Sequence, residues 1–100
     1  MTKQELVEKM NSAGAYLPGK TVKFDFGDQG AVLLDGKANE VRDDANDVAD
    51  TTIKVSWDDF QQMNGGTLDA MTAFMTGKLK VEGDMSNAMQ LQGVLAKLKG

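Results

Sequence analysis

The residue types that usually carry catalysis are scarce in this sequence. It has no histidine and no cysteine, so it lacks the commonest general base near neutral pH, the thiolate nucleophile and the usual zinc ligands. The serines are Ser12, Ser56 and Ser86, and none lies in a nucleophile-elbow pattern. The acidic pairs 43–44 and 58–59 are expected to act as helix caps and solvated charge. We therefore expect no enzyme, no metal site and no cofactor.

Methionine is the residue type whose abundance could build a binding surface. Seven of the 100 residues are methionine, and its flexible thioether side chain adapts to apolar ligands of varied shape. Ordinary core packing explains methionines at this spacing equally well, so spacing alone leaves both interpretations open. Apart from Met1, the methionines are Met10, Met63, Met71, Met75, Met85 and Met89.

Composition and charge limit the class of protein. Hydrophobic residues make up 41% and charged residues 26% of the chain, which is typical of a globular domain. The net charge of −4 disfavours nucleic acid as a partner and permanent docking on anionic membranes, although brief membrane contact stays open. No signal peptide or membrane span is evident. We expect residues 1–100 to form one cytoplasmic, monomeric domain.

Alternating apolar and polar residues predict the strands. Val22, Phe24 and Phe26 alternate with Lys23 and Asp25, so one side of that strand is expected to be buried. An uninterrupted apolar run at 31–34 is typical of a central strand. Strands are predicted over residues 22–26, 31–34, 38–42, 51–57 and 79–82.

Apolar spacing of three and four residues predicts the helices. The first begins with a capping box formed by Thr2 and Glu5 and continues to Pro18. Short helices follow over 58–63 and after Thr67, and the last helix covers 85–99. The order of elements indicates an α+β fold: a mainly antiparallel sheet of about five strands, covered on one face by helices.

One segment resembles a known family. Residues 74–91 read FMTGKLKVEGDMSNAMQL. They resemble the hallmark of the sterol carrier protein family: an aromatic residue, Gly-Lys-Leu-Lys-aliphatic, Gly, Asp or Asn, Met, and an Ala-Met pair before Leu. Asp50-Thr51-Thr52-Ile53 is similar to the family's strand-opening Asp-x-Thr-Ile. The first 50 residues match mainly in pattern.

The resemblance implies a fold and a function. The fold would be a sheet-and-helix sandwich with an apolar tunnel. The ligands would be fatty acids, fatty acyl-CoA, sterols or phospholipids, which the protein would transfer or present inside the cell. The sequence resembles a free-standing, bacterial-type member of this family, for which acyl chains are the expected cargo. Leu98-Lys99-Gly100 does not match the peroxisomal signal of the animal members, so we do not expect that compartment.

A binding site follows from this resemblance and from the methionines. The sheet is expected to form one wall, two short helices the second, and the last helix the lid. Gly83 and Gly93 would let that helix bend. Lys78 or Lys80 would either meet a carboxylate at the mouth or form a plain solvent face. The predicted ligand-binding residues are Trp57, Phe60, Met63, Leu68, Met71, Phe74, Met75, Met85, Met89, Leu91 and Leu95.

Two other interpretations stay open. One is a non-catalytic interaction domain with a filled core, which would partner a separate enzyme of lipid metabolism. The other is an enzyme that uses carboxylates and lysine on a bound lipid. The first predicts no pocket and no co-purifying lipid, and the second predicts turnover that depends on a single acidic or lysine side chain.

Overall fold

Five β-strands and four α-helices build the protein in the computed structural model, which describes residues 2–44 and 48–95. Side chains are described for all of these except residues 44, 70, 92, 94 and 95. Within these ranges no helix is both long and apolar enough to cross a bilayer. The strands are β1 (Thr21–Asp25), β2 (Ala31–Asp35), β3 (Glu40–Asp44), β4 (Thr51–Val55) and β5 (Leu79–Gly83). The α-helices are α1 (Lys3–Ala13), α2 (Trp57–Gly65), α3 (Ala70–Met75) and α4 (Met85–Leu95).

The strands form one open sheet in the order β3-β2-β1-β4-β5. Three neighbouring pairs are antiparallel, and β1 with β4 is parallel. The sheet is therefore mixed but mainly antiparallel, and the predicted α+β fold is confirmed. Because β4 returns to the free side of β1 after the β1–β3 meander, β1 becomes the central strand.

The two faces of the sheet differ because side chains alternate along each strand. The register places Phe24 beside Ile53, and Ile53 beside Val81, on one apolar face. That face forms the core with Leu6 of α1, Phe60 of α2 and residues of the later helices. The helices cover this single face, as predicted, so any space for a ligand inside the core lies between it and the helices.

The first helix begins as predicted and ends earlier. Thr2 and Glu5 form the expected capping box, in which each side chain accepts a hydrogen bond from the backbone N–H of the other residue. The helix ends at Ala13, well before Pro18, because Gly14 adopts a left-handed conformation with φ 64°. That conformation closes a helix through the cap N–H, and glycine adopts it at little cost.

The ends of β4 and α3 also differ from the prediction because of side-chain caps. The Ser56 hydroxyl accepts a hydrogen bond from the backbone N–H of Asp59 at 3.1 Å, so the strand stops at Val55 and α2 starts at Trp57. Asp69, rather than Thr67, caps α3 in the same way. Ser, Asp and Thr all favour the N-cap position, so composition alone cannot choose among neighbouring candidates.

The outer edge of β3 is covered by a side chain. Asn11 Nδ2 donates to the Val41 carbonyl oxygen, and Asn11 Oδ1 accepts from the Val41 N–H, each at 2.6 Å. The amide thus bonds to the edge as a further strand would, which protects an otherwise open row of backbone groups. The same two bonds tie α1 to the sheet.

Candidate functional site

An apolar cavity lies between the helix-covered face of the sheet and the helices α3 and α4. Its volume is about 180 Å³. It is lined by Phe24, Ile53, Met63, Met71, Phe74, Leu79, Val81, Met85, Ala88, Met89 and Leu91. Because every lining residue in the described part of the chain is apolar, the cavity suits hydrocarbon and offers no side-chain partner to a polar group.

The cavity has a buried floor and an exposed rim. Phe24 and Leu91 lie at the floor and are 0% and 1% exposed. Met71, Phe74 and Met89 lie at the rim and are 55%, 44% and 70% exposed. The cavity therefore opens to the surface through thioether and aromatic side chains, which can change rotamer as a ligand enters.

A backbone contact and a buried polar network fix the first turn of α4 to the start of β4. Gly83 has φ 91°, and a Cβ there would lie 2.4 Å from the carbonyl oxygen of Asp50. The Thr51 hydroxyl donates to the Asp84 carbonyl at 2.8 Å and accepts from Asn87 Nδ2 at 3.1 Å. This end of α4 is therefore a fixed support for the lining residues, and Gly83 serves a close approach instead of a hinge.

Two carboxylates reinforce the same junction outside the cavity. Asp50 Oδ2 accepts from the Thr21 N–H at 3.1 Å, and this bond holds the pKa of Asp50 below its usual value. Asp84 Oδ1 accepts from the Ser86 N–H at 2.9 Å, which likewise lowers the pKa of Asp84. Both groups are charged at neutral pH, and both accept hydrogen bonds from backbone N–H groups, so we assign them a structural role.

Six of the eleven predicted ligand-binding residues line the cavity. Met63 comes from α2 and is buried at 7% exposure, whereas the other five come from α3 and α4. The structure thus gathers residues that are separated by up to 28 positions in the sequence around one space, from Met63 to Leu91. The six are Met63, Met71, Phe74, Met85, Met89 and Leu91.

Two predicted aromatic residues lie in a neighbouring cluster instead. The Trp57 and Phe60 rings pack edge-to-face on Phe26, with centroids 5.0 and 5.1 Å away. Trp57 was expected at a strand end on the cavity wall. It lies on α2 because the Ser56 cap ends the strand first.

The remaining three predicted residues also lie away from the lining or outside the described side chains. Leu68 is partly buried against the core in the connection between α2 and α3. Met75 is 77% exposed on α3, just beyond the rim. The side chain of Leu95 lies outside the described part of the chain.

Five lining residues are missing from the predicted set. Phe24, Ile53, Leu79 and Val81 come from the sheet, and Ala88 comes from α4. Strand alternation had already placed the sheet residues on the apolar face, so that signal was sufficient to find them. Ala88 is small, and only its position one turn before Leu91 on the helix could have indicated it.

Lys80, one of the two lysines for which a place at the mouth was left open, lies on the other side of the sheet. Lys80 alternates with the cavity-lining residues Leu79 and Val81, and its cross-strand partner Lys54 follows the cavity-lining Ile53. Lys78 flanks the same shallow polar depression as Lys80 and Lys54. The alternation therefore favours the solvent-face interpretation of Lys80 over contact with a ligand head group in the cavity.

Comparison with known proteins identifies the family. Residues 3–96 match the model of the family described as the SCP-2 sterol transfer family. The chain belongs to this family. The resemblance carried by residues 74–91 is thereby confirmed.

Solved structures of SCP-2 proteins share the fold. Sterol carrier protein-2 from Aedes aegypti, solved as a complex with palmitate, superposes with a TM-score of 0.77 over 95% of this chain and 94% of that chain, at 21% identity. Sterol carrier protein 2 from Yarrowia lipolytica in its apo form has a TM-score of 0.67 and 29% identity, over 99% of this chain and 79% of that one.

Two curated relatives match the SCP-2 chain over about half of its length. A fatty acid-binding protein of Yarrowia lipolytica is 45% identical over 47 residues, which is 47% of this chain and 36% of that protein. Hydroxysteroid dehydrogenase-like protein 2 of Danio rerio is 41% identical over 51 residues, which is 51% of this chain. The match covers only 12% of that protein.

Proposed function

We propose that this SCP-2 protein binds the hydrocarbon parts of lipids in its apolar cavity and transfers or presents them inside the cell. The observation that carries the proposal is a wholly apolar lining with a buried floor and an exposed rim. The palmitate complex of the Aedes aegypti protein and the fatty acid-binding protein of Yarrowia lipolytica support fatty acids as a ligand class. Fatty acyl-CoA, sterols and phospholipids each offer an apolar part to the same cavity.

The ligand enters tail first in this proposal. An ionised carboxylate or phosphate is costly to bury without a hydrogen-bonding partner. The lining offers no such partner among the described side chains. The head group therefore stays in solvent at the mouth, and selection depends on the tail.

The volume of the cavity sets the energetic scale. A methylene group fills about as much space as a water molecule, roughly 30 Å³, so a cavity of about 180 Å³ holds about six carbons. Their burial contributes about 5 kcal/mol, and ordering the ligand costs several kcal/mol of this. Longer tails gain further affinity from the exposed side chains of the lining residues Met71, Phe74 and Met89.

The open apolar cavity favours a carrier over the two alternatives. An interaction domain with a filled core would have no such cavity. An enzyme needs a nucleophile or a base near the bound lipid, and no described lining residue supplies one. We therefore propose a non-enzymatic role without a cofactor. The monomeric state and the cytoplasmic location stay expectations from the sequence.

Native mass spectrometry of freshly purified protein, followed by organic extraction, tests the proposal directly. Bound fatty acid or phospholipid is the expected result, and it would name the ligand class. Protein that is empty as purified is then titrated with a fluorescent fatty acid below its critical micelle concentration. Failure to bind in both experiments would leave the interaction domain as the better account.

Comparing dodecanoic acid with its methyl ester tests the tail-first orientation. The two dissociation constants are expected to agree within about threefold, because the head makes no contact that the ester would lose. A hydrogen-bonded carboxylate would instead contribute about 1.5–3 kcal/mol, or tenfold and more. An ester that binds more than tenfold more weakly would show that a polar group of the protein holds the head.

A further inference from the structure

A cluster of exposed apolar side chains surrounds the mouth of the cavity. It consists of Met71, Phe74, Met75, Met85 and Met89, which we call the rim patch. Each of these side chains is between 44% and 77% exposed. Only one other large hydrophobic residue in the described part of the chain is exposed, Val48. Contiguous apolar surface of this kind marks an interaction site more often than scattered exposed residues do.

The rim patch and the cavity form one continuous surface. Met71, Phe74, Met85 and Met89 belong to the patch and also line the cavity. A partner that covers the patch therefore covers the mouth as well. A partner with an apolar interior would let a hydrocarbon tail pass into the cavity without crossing water, and that passage avoids the cost of exposing the tail.

The helices that carry the patch contain no charged residue. α3 reads AMTAFM, and α4 reads MSNAMQLQGVL. In contrast, α1 carries two lysines and two glutamates, and α2 carries Asp58 and Asp59. A helix surface without charges can approach the interfacial region of a bilayer without the cost of removing ions from water. The net charge of −4 disfavours an anionic surface.

We propose that the rim patch docks on the surface of a neutral, zwitterionic phospholipid bilayer, with the mouth of the cavity facing the lipid. Docking gives the proposed carrier a route for loading and releasing its ligand. Only this purpose of the docking rests on the proposed function. The contact itself requires no ligand in the cavity, so it can be measured on empty protein.

Cosedimentation with phosphatidylcholine vesicles tests the docking. Met75 is the best residue to change because it belongs to the patch and does not line the cavity. Met75→Glu should weaken vesicle binding by about tenfold or more, since it removes a thioether side chain that docking would bury in the bilayer and brings a charge to the interface. Val48→Glu is the matched control, because it changes another exposed apolar residue, outside the patch, to the same acid. It should stay within about twofold of the parent.

The composition of the vesicles tests the role of charge. Replacing about a third of the phosphatidylcholine by phosphatidylserine should weaken binding at low salt, because the protein is acidic. Stronger binding to the anionic vesicles would overturn the proposed neutral surface.

Three results would overturn the docking proposal. The first is a parent protein that does not cosediment with the vesicles, and the second is an equal loss of vesicle binding in Met75→Glu and Val48→Glu. The third is a concentration-dependent dimer that Met75→Glu disrupts, in a protein that does not bind vesicles. A parallel titration with a fluorescent fatty acid, without vesicles, separates this failure from failure of the carrier function. Met75→Glu should leave the affinity for the fatty acid unchanged. A parent protein that binds vesicles but not the fatty acid would contradict the carrier proposal and leave the docking proposal in place.

Discussion

Filling the cavity from within should abolish acyl binding while the fold is retained. Ala88 lines the cavity from α4 and is partly buried, so a larger side chain there extends into the empty space. Ala88→Phe adds a six-carbon ring. An apolar cavity of about 150 Å³ accommodates a benzene molecule, so the ring fits within the roughly 180 Å³ of this cavity and leaves little of it.

The expected loss of affinity follows from the volume. The ring displaces about six methylene groups of the ligand, whose burial contributes about 5 kcal/mol. That free energy corresponds to roughly three to four orders of magnitude in the dissociation constant. Ala88→Leu fills about half of the space and should lose about half of that free energy. Stability should change by no more than about 1–3 kcal/mol, because the ring enters existing space and the exposed methionines around it can change rotamer.

Titration with a fluorescent dodecanoic acid derivative measures the affinity, and urea unfolding confirms that each variant is folded. Gln90→Phe is the matched control, since it places the same ring on an exposed position of the same helix. It should bind the ligand as the parent does. If Ala88→Phe is folded and binds with unchanged affinity, the tail does not occupy this cavity and the proposed site is wrong.

Substitutions at Thr51, Gly83 and Asp50 test the support of α4. Thr51→Val should lower the free energy of unfolding by about 2–3 kcal/mol, because it removes two hydrogen bonds and takes the Thr51 partner from the buried Asn87 amide. Thr51→Ser keeps both hydrogen bonds and should cost only about 1 kcal/mol. Gly83→Ala should cost at least about 2 kcal/mol of stability, because φ is left-handed there and the new Cβ would meet backbone atoms. Gly93 has open space around it, so Gly93→Ala should stabilise α4 by about 0.5–1 kcal/mol. Equal effects of the two substitutions in urea unfolding would contradict the close approach at Gly83. The pKa of Asp50 is lowered from 3.8 on folding, so its contribution is present at neutral pH and is lost as the pH falls through and below 3.8. Asp50→Asn should therefore reduce the difference in urea midpoint between neutral pH and about pH 3, and an unchanged difference would remove Asp50 from the acid response.

The sequence predicted the strands better than their ends because the two depend on different signals. Alternation over β1 and β5 extends through several residues, and each one repeats the same information about the buried face. The end of β4 depends on a single hydrogen bond, which the Asp59 N–H donates to the Ser56 hydroxyl. The predicted helix began at Asp58, but the cap is Ser56, two residues earlier, and this difference moves Trp57 from the strand to the helix.

The parallel pairing of β1 with β4 and the protection of the β3 edge could not be predicted from the sequence, for a related reason. The pairing of β1 with β4 joins segments about 30 residues apart, and no local pattern encodes such a register. The contact of Asn11 with Val41 is equally long-range. An asparagine on the polar side of a helix resembles any solvated residue until the sheet edge is in place.

The positions of most methionines favour a binding surface over ordinary core packing. Met10 is the exception, since it lies on α1 and is fully buried in the core. Met63, Met71, Met85 and Met89 line the cavity, and Met75 lies beside its mouth. A rigid lining would fix one cavity shape, because packed interiors yield little. The side chains of the four lining methionines can instead shift rotamer around tails longer than six carbons, while the polar network at the start of α4 stays intact. Variation in tail length should therefore be absorbed at the rim and not by movement of the sheet.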